Sequence, residues 1–179
     1  QETKAQDSHF PGEAFAAAGW PHQVFRGEKS YNGVAIIARQ PLVETRFINW
    51  SGKTDCRHIW AMTQEGIGVH NFYVPAGGDI PDVNKSKKFE HKLQFIEEMT
   101  GHFGANKPQG EILVGDLNIA PLANDVWSSK QLLKVVSHTP VETDALKRLI
   151  VEGGWHDAVR AYFGDEQKLY SWWSYRARD

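Results

Sequence analysis

Glu111-Ile112-Leu113-Val114-Gly115-Asp116-Leu117-Asn118 carries an apolar triplet of the length expected for a central strand, and the run ends in polar residues. Asp116 and Asn118 therefore fall at a strand end. Upstream, Lys87 to Phe103 places Phe89, Leu93, Ile96, Met99 and Phe103 at the period of an amphipathic helix, with Gly104 where a C-terminal stop belongs. Further upstream, Arg57 to Thr63 and Ile67 to Val74 read as strands joined by a hairpin turn at Gln64-Glu65-Gly66. The second strand stops at Pro75, which cannot donate to a ladder, so Tyr73 also sits at a strand end. Gly33 to Ala38 is a short run rich in β-branched residues, suited to a buried strand. Downstream, Trp127–Val136 and Val141–Glu152 read as helices, the latter closed by Gly153-Gly154, and Leu169 to Tyr175 as an aromatic strand or ordered loop. Strands alternating with helices predict a layered α/β or α+β domain, in which sites form where strands end in loops.

With 179 residues the chain is expected to be one domain. Hydrophobic residues at 41% and charged residues at 23% give an ordinary globular balance. No apolar run approaches the ~18–20 residues of a membrane span, so no membrane association is expected. Net charge is −2, so any nucleic-acid contact must come from local placement of Lys and Arg. The single cysteine, Cys56, cannot pair internally; it reads as a partly buried strand residue and points to a reducing cytoplasm. The eight histidines read as solvated or structural.

Hydrolysis of a phosphodiester requires a hard cation, a carboxylate to hold or activate water, and a donor for the developing charge. Gln1-Glu2-Thr3-Lys4, Asn71-Phe72-Tyr73-Val74-Pro75 and Gly115-Asp116-Leu117-Asn118 offer such groups. Each is weak alone, since a Gly-Asp-x-Asn after a strand is more often a turn than a site. Together with Gly27-Glu28-Lys29-Ser30-Tyr31-Asn32-Gly33-Val34-Ala35 and Ser171-Trp172-Trp173-Ser174-Tyr175-Arg176, they stand in the order seen in the exonuclease III family, and the chain resembles that family over essentially its whole length. Lys88-Phe89 with Lys92-Leu93, and the segment Gly154 to Arg160, extend the resemblance.

The resemblance implies a four-layered α/β sandwich of two packed mixed sheets flanked by helices, and an abasic-site endonuclease and 3′-to-5′ exonuclease acting on duplex DNA in base-excision repair. It implies Glu2 as the carboxylate ligand of Mg²⁺ or Mn²⁺, with Lys4 a backbone or phosphate contact beside it. Asp116 would align or deprotonate the attacking water, Asn118 orient the phosphate, and Tyr73 assist as phenol or phenolate. Tyr31, Asn32 and Arg176 would contact DNA, and Trp172 and Trp173 would form the rim of a pocket for an extruded abasic sugar or terminal nucleotide.

The partner expected is double-stranded DNA with abasic sites or 3′ ends, met by a monomer. The resemblance also implies a first strand bearing an Asn, an Arg-(Ile/Leu)-Asp-(His/Tyr) strand and a closing Ser-Asp-His motif, none of them in these residues. A single domain over residues 1–179, truncated at both ends and weakly active or inactive alone, is the resulting expectation. Ala76 stands where some relatives carry Asn.

Two other readings use the same residues. An inositol-phosphate or sphingomyelin phosphodiesterase would share the metal carboxylate and Asp-x-Asn, but the Lys29–Ala35 and Ser171–Arg176 segments favour the DNA branch. A non-catalytic DNA-binding remnant has no need of Tyr73, Asp116 and Asn118.

Overall fold

In the computed structural model, which describes residues 1–173, the strands all belong to one unit, Gln1–Val74 with Gln109–Leu117. The second unit, Pro75–Pro108 with the described residues from Asn118 on, is helical.

The first unit holds a short helix α1 (Gly12–Ala17) and strands β1 (His22–Arg26), β2 (Val34–Ala38), β3 (Leu42–Arg46), β4 (His58–Thr63), β5 (Gly68–Tyr73) and β6 (Glu111–Asp116). β1 and β2 pair antiparallel; the other four form a sheet in the order β3-β4-β5-β6, antiparallel except for the parallel pair β5/β6. Val34, Ile59 and Tyr73 form a buried cluster, with Val24 and Ile36 against it, and close the space between the sheets. Asn71 Nδ2 donates to Ala35 O at 2.9 Å and ties β5 to β2.

The expected hairpin is present: Gly66 N donates to Thr63 O at 3.1 Å, Thr63 N to Ile67 O at 3.0 Å, and Gly66 takes φ 81°. That left-handed conformation costs a glycine nothing sterically. Gly115 has a stricter reason. Its φ is 134°, and a Cβ there would stand 1.9 Å from Phe72 O, so only glycine lets β6 run this close to β5.

β6 departs from expectation. Among the described residues it is an edge strand, and Ile112 and Val114 are about half exposed. An apolar run alone does not distinguish an edge from a centre. Cys56 likewise lies not in a strand but in the loop before β4, half-buried, at φ 48°.

In the second unit, helix α2 (Lys87–Ala105) starts at Ser86, whose hydroxyl accepts from Phe89 N at 3.2 Å. Its buried face, Phe89, Phe95, Ile96, Met99 and Phe103, packs on α4 (Pro140–Gly153), where Leu146 and Leu149 are buried. Lys92 is fully buried on that face while Leu93 is only partly so. α2 passes through Gly104 and is capped by Asn106. α4 ends as expected, on Gly154 at φ 74°.

The helix expected over Trp127–Val136 is a single turn, α3 (Ser129–Leu132), followed by turns through Val135 and His138; Trp127 is exposed. The stretch bears two β-branched valines and no apolar stripe long enough to hold a helix against a core. After α5 (Ala158–Phe163), residues 169–173 are an ordered loop: Leu169 N donates to Asn124 O and Ser171 N to Asp125 O, both at 2.9 Å. No helix among the described residues is long and apolar enough to cross a membrane.

Candidate active site

Tyr73 and Asp116 end neighbouring parallel strands and are direct partners in the β5/β6 register. Tyr73 N donates to Arg57 O at 2.8 Å, and Val74 N to Asp116 O at 2.9 Å, so the two strand ends are fixed by backbone bonds. The N-terminal segment comes to the same place. Thr3 N donates to Gly33 O at 3.3 Å and Lys4 N to Asn32 O at 2.8 Å, laying residues 1–4 along the loop that opens β2. Gly33 permits this, since a Cβ there would stand 2.0 Å from Thr3 Oγ1. Gln1 Nε2 donates to Asn71 Oδ1 at 2.7 Å and anchors the segment to β5.

Glu2 is thereby brought to Tyr73, although 71 residues separate them, and the Tyr73 hydroxyl donates to Glu2 Oε1. The Lys4 ammonium lies 2.6 Å from Glu2 Oε2. Lys4 first, and the Tyr73 hydroxyl next, hold the Glu2 carboxyl below the usual glutamate range against a smaller opposing effect of burial. Tyr73 moves the other way. Burial, then the hydrogen bond to Glu2, push its phenol far above the ordinary value, which favours the phenol over the phenolate in the metal-free protein.

Arg57 is the residue that sequence reasoning missed. Its side chain pairs with Asp55 at 2.5 Å, donates from NH1 to Tyr73 O at 3.2 Å, and sets its guanidinium 4.9 Å from the Tyr73 ring centroid. The sequence reads Arg57 as the first residue of a strand, with no motif to mark it, and the structure starts β4 one residue later, at His58.

Four expected site residues share an uncommon backbone. Glu2 and Lys4 have φ 51°, Asn32 φ 48° and Asn118 φ 51°. Such conformations cost a residue with a long side chain of order 1–3 kcal/mol and cluster at functional sites. Glu2, Lys4, Asn32, Tyr73 and Asp116 all lie in the first unit and are joined by the bonds above; Tyr31, beside Asn32, is 71% exposed.

The remaining residues lie in the second unit. Asn118 is half-buried, and its carbonyl accepts from Lys92 Nζ at 2.7 Å. Trp172 packs against Ala120, Val126 and Leu132, whereas Trp173 is 57% exposed, so the two tryptophans have different surroundings. Arg176 lies outside the described residues.

The donors suit a hard cation. Glu2 and Asp116 are exposed carboxylates, and among the described residues no group of three or more His, Cys, Asp and Glu gathers around one point. Mg²⁺ is commonly held by one or two carboxylates with water completing its shell. Three buried histidines are engaged in bonds within the fold. His58 Nε2 and His70 Nδ1 lie 3.0 Å apart, and His138 bridges Ser129 Oγ and Ala120 O, each at 2.8 Å.

Residues 1–178 match the model of the endonuclease/exonuclease/phosphatase family. The chain is 26% identical over 181 residues to an exodeoxyribonuclease of Bacillus subtilis, covering 99% of this chain and 68% of that protein. It is 26% identical to the DNA repair nuclease APEX1 of Danio rerio, covering 98% of this chain and 56% of that protein. Among solved structures, an AP endonuclease from Archaeoglobus fulgidus superposes with a TM-score of 0.86 at 31% identity, over 99% of this chain and 67% of that one. A Neisseria 3′ phosphatase bound to product DNA hairpin superposes with a TM-score of 0.85 at 29% identity, over 98% and 66%. The chain thus spans between about half and two thirds of its relatives' lengths, and the mixed α/β class with two sheets is theirs too.

Proposed function

Because the chain belongs to the endonuclease/exonuclease/phosphatase family, we propose that it hydrolyses DNA phosphodiesters in base-excision repair, as an abasic-site endonuclease and 3′-to-5′ exonuclease on duplex DNA. The observation that carries this reading is the hydrogen bond from Tyr73 to Glu2 beside Asp116, which unites three segments distant in sequence at one pair of strand ends. The names of the relatives support DNA as the substrate, and the donor chemistry supports Mg²⁺, with Mn²⁺ as a substitute. The family match runs unbroken across both units and supports reading the chain as part of one catalytic domain.

Glu2 would hold the cation, which when bound neutralises phosphate charge as a Lewis acid. Everything else is done by the protein's own groups. Asp116, exposed at the end of β6, accepts a hydrogen bond from the attacking water and takes its proton as the water oxygen bonds to phosphorus and the opposite P–O ester bond breaks, the leaving oxygen departing as an alcohol with a proton from solvent. Tyr73, held neutral, keeps the Glu2 carboxylate oriented and can donate to a phosphate oxygen as negative charge grows there. The Asn118 amide orients the phosphate, and Lys4, Tyr31 and Asn32 meet the DNA backbone. Trp172 and Trp173 are assigned to the rim of the pocket that takes an extruded abasic sugar, and Arg176 to DNA contact.

The same chemistry admits 3′-phosphate removal, the activity named for the Neisseria neighbour. A substrate panel tests the proposal: a duplex with an abasic analogue, a recessed 3′ end, a 3′-phosphate, and soluble inositol phosphates, each with Mg²⁺ and with chelator. Mg²⁺-dependent nicking at the abasic site is expected. Turnover of inositol phosphates with no action on any DNA would overturn the assignment.

A further inference from the structure

Beneath α2 lies an ion pair that no step above uses. Lys92 and Glu142 are both fully buried, their side chains 2.5 Å apart. Burying two charges is costly, and such a pair persists only when further hydrogen bonds satisfy both partners. Here they do. Glu142 accepts from Ser137 N through both oxygens at 2.9 Å, and from Thr139 N at 3.3 Å and Thr139 Oγ1 at 2.5 Å, at the start of α4. The Lys92 ammonium donates to Asn118 O at 2.7 Å and Ala76 O at 3.2 Å, with Ser137 Oγ at 3.4 Å.

Those two carbonyls belong to the loops that leave the strand ends. Ala76 is three residues beyond Tyr73, and Asn118 two beyond Asp116. Asn118 is also in the left-handed region, a small well that non-glycine residues seldom occupy, and the bond from Lys92 to its carbonyl helps to hold it there. The stem of Lys92 is itself wedged, for a Cβ on Gly77 would come within 2.9 Å of Lys92 Cδ.

We propose that Lys92, fixed by Glu142, is a positioning residue: its ammonium clamps the Asn118 and Ala76 carbonyls and so aims the Asn118 amide at the phosphate. The proposal deepens the nuclease reading and rests on it for the role of Asn118. A lysine is suited to the task because its compact ammonium carries three donors that can serve several acceptors at once.

The test is a double-mutant cycle on the full-length protein. Lys92→Met alone strands the Glu142 carboxylate and can fail to fold, so it is paired with Glu142→Gln, which removes both charges and keeps an acceptor for the α4 amides. The pair variant is expected to unfold cooperatively, to lose about 10- to 100-fold in kcat on an abasic duplex, and to change KM less than about threefold. In an Asn118→Ala background the same pair should cost almost nothing further, because the clamp acts through that amide. Loss that multiplies with that of Asn118→Ala, or a folded pair variant with unchanged kcat, would overturn the clamp. A second readout does not depend on turnover: the Asn118 side-chain and backbone amide resonances should shift and broaden in the pair variant, with those of β4 unmoved. Absence of cleavage by the wild type sinks the nuclease reading, and the Asn118 resonances then decide the clamp alone.

Discussion

Tyr73 is buried to 8% exposure, yet its hydroxyl reaches an exposed carboxylate. That placement keeps the proton on oxygen. In metal-free protein, alkaline titration of tyrosine absorbance should leave one phenol un-ionised well beyond the ordinary tyrosine pKa of ~10, and Tyr73→Phe should remove it. The sign for stability follows. A phenol whose folded pKa is raised stabilises the protein fully below ~pH 10, and that contribution is lost as the pH climbs toward the folded value. The stability gap between wild type and Tyr73→Phe should therefore be flat up to ~pH 10 and shrink above it. A gap that widens there contradicts the assignment. At this scale Glu2, Tyr73, Asp116 and Asn118 were legible as candidates only through the order of motifs that resembles the family, since each segment alone reads as a terminus, a strand aromatic or a turn. Arg57 and Lys92 were not. Their work is to hold backbone carbonyls 16 and 26 residues away in the chain, which leaves no local pattern.

Between β5 and β6 the packing is backbone on backbone at Gly115, and this element contact aligns Tyr73 with Asp116. Gly115→Ala must either push β6 off Phe72 or change a φ of 134° that alanine resists. A loss of at least ~3 kcal/mol in denaturant unfolding is expected, accompanied by a fall in any activity that needs both strand ends. A loss below ~1 kcal/mol would show that the strands can part without harm.

On α2, Met99 is fully buried, and Met99→Ala should cost ~2–5 kcal/mol while leaving metal and DNA dependence unchanged. The core strands β2, β4 and β5, the hairpin and the two long helices could be read from period and turn residues. The position of β6 in its sheet and the shortness of α3 could not, since both depend on which neighbours the chain finds. β1 and β3 also escaped notice. Their segments, His22–Arg26 and Leu42–Arg46, carry too few apolar residues to show an alternation.

These 179 residues carry a net charge of −2, so the proposed hold on DNA calls for local cations at the site rather than bulk attraction. Lys4→Ala should weaken binding to abasic and undamaged duplexes alike, and should reduce the slope of log affinity against log salt by about 1. An unchanged slope places Lys4 off the DNA. The order of five motifs pointed to the family that the chain belongs to and that its relatives share.

Glu2, Tyr73 and Asp116 are proposed to act as one metal-dependent centre, for which single-turnover nicking of an abasic duplex by the full-length protein is the decisive experiment. Mg²⁺-dependent cleavage is predicted, reduced by about 10²–10³-fold in Asp116→Asn and in Tyr73→Phe, while Glu2→Gln should require much higher Mg²⁺ for any remaining rate. Cleavage that persists in all three variants at the wild-type rate and metal requirement would place the chemistry elsewhere.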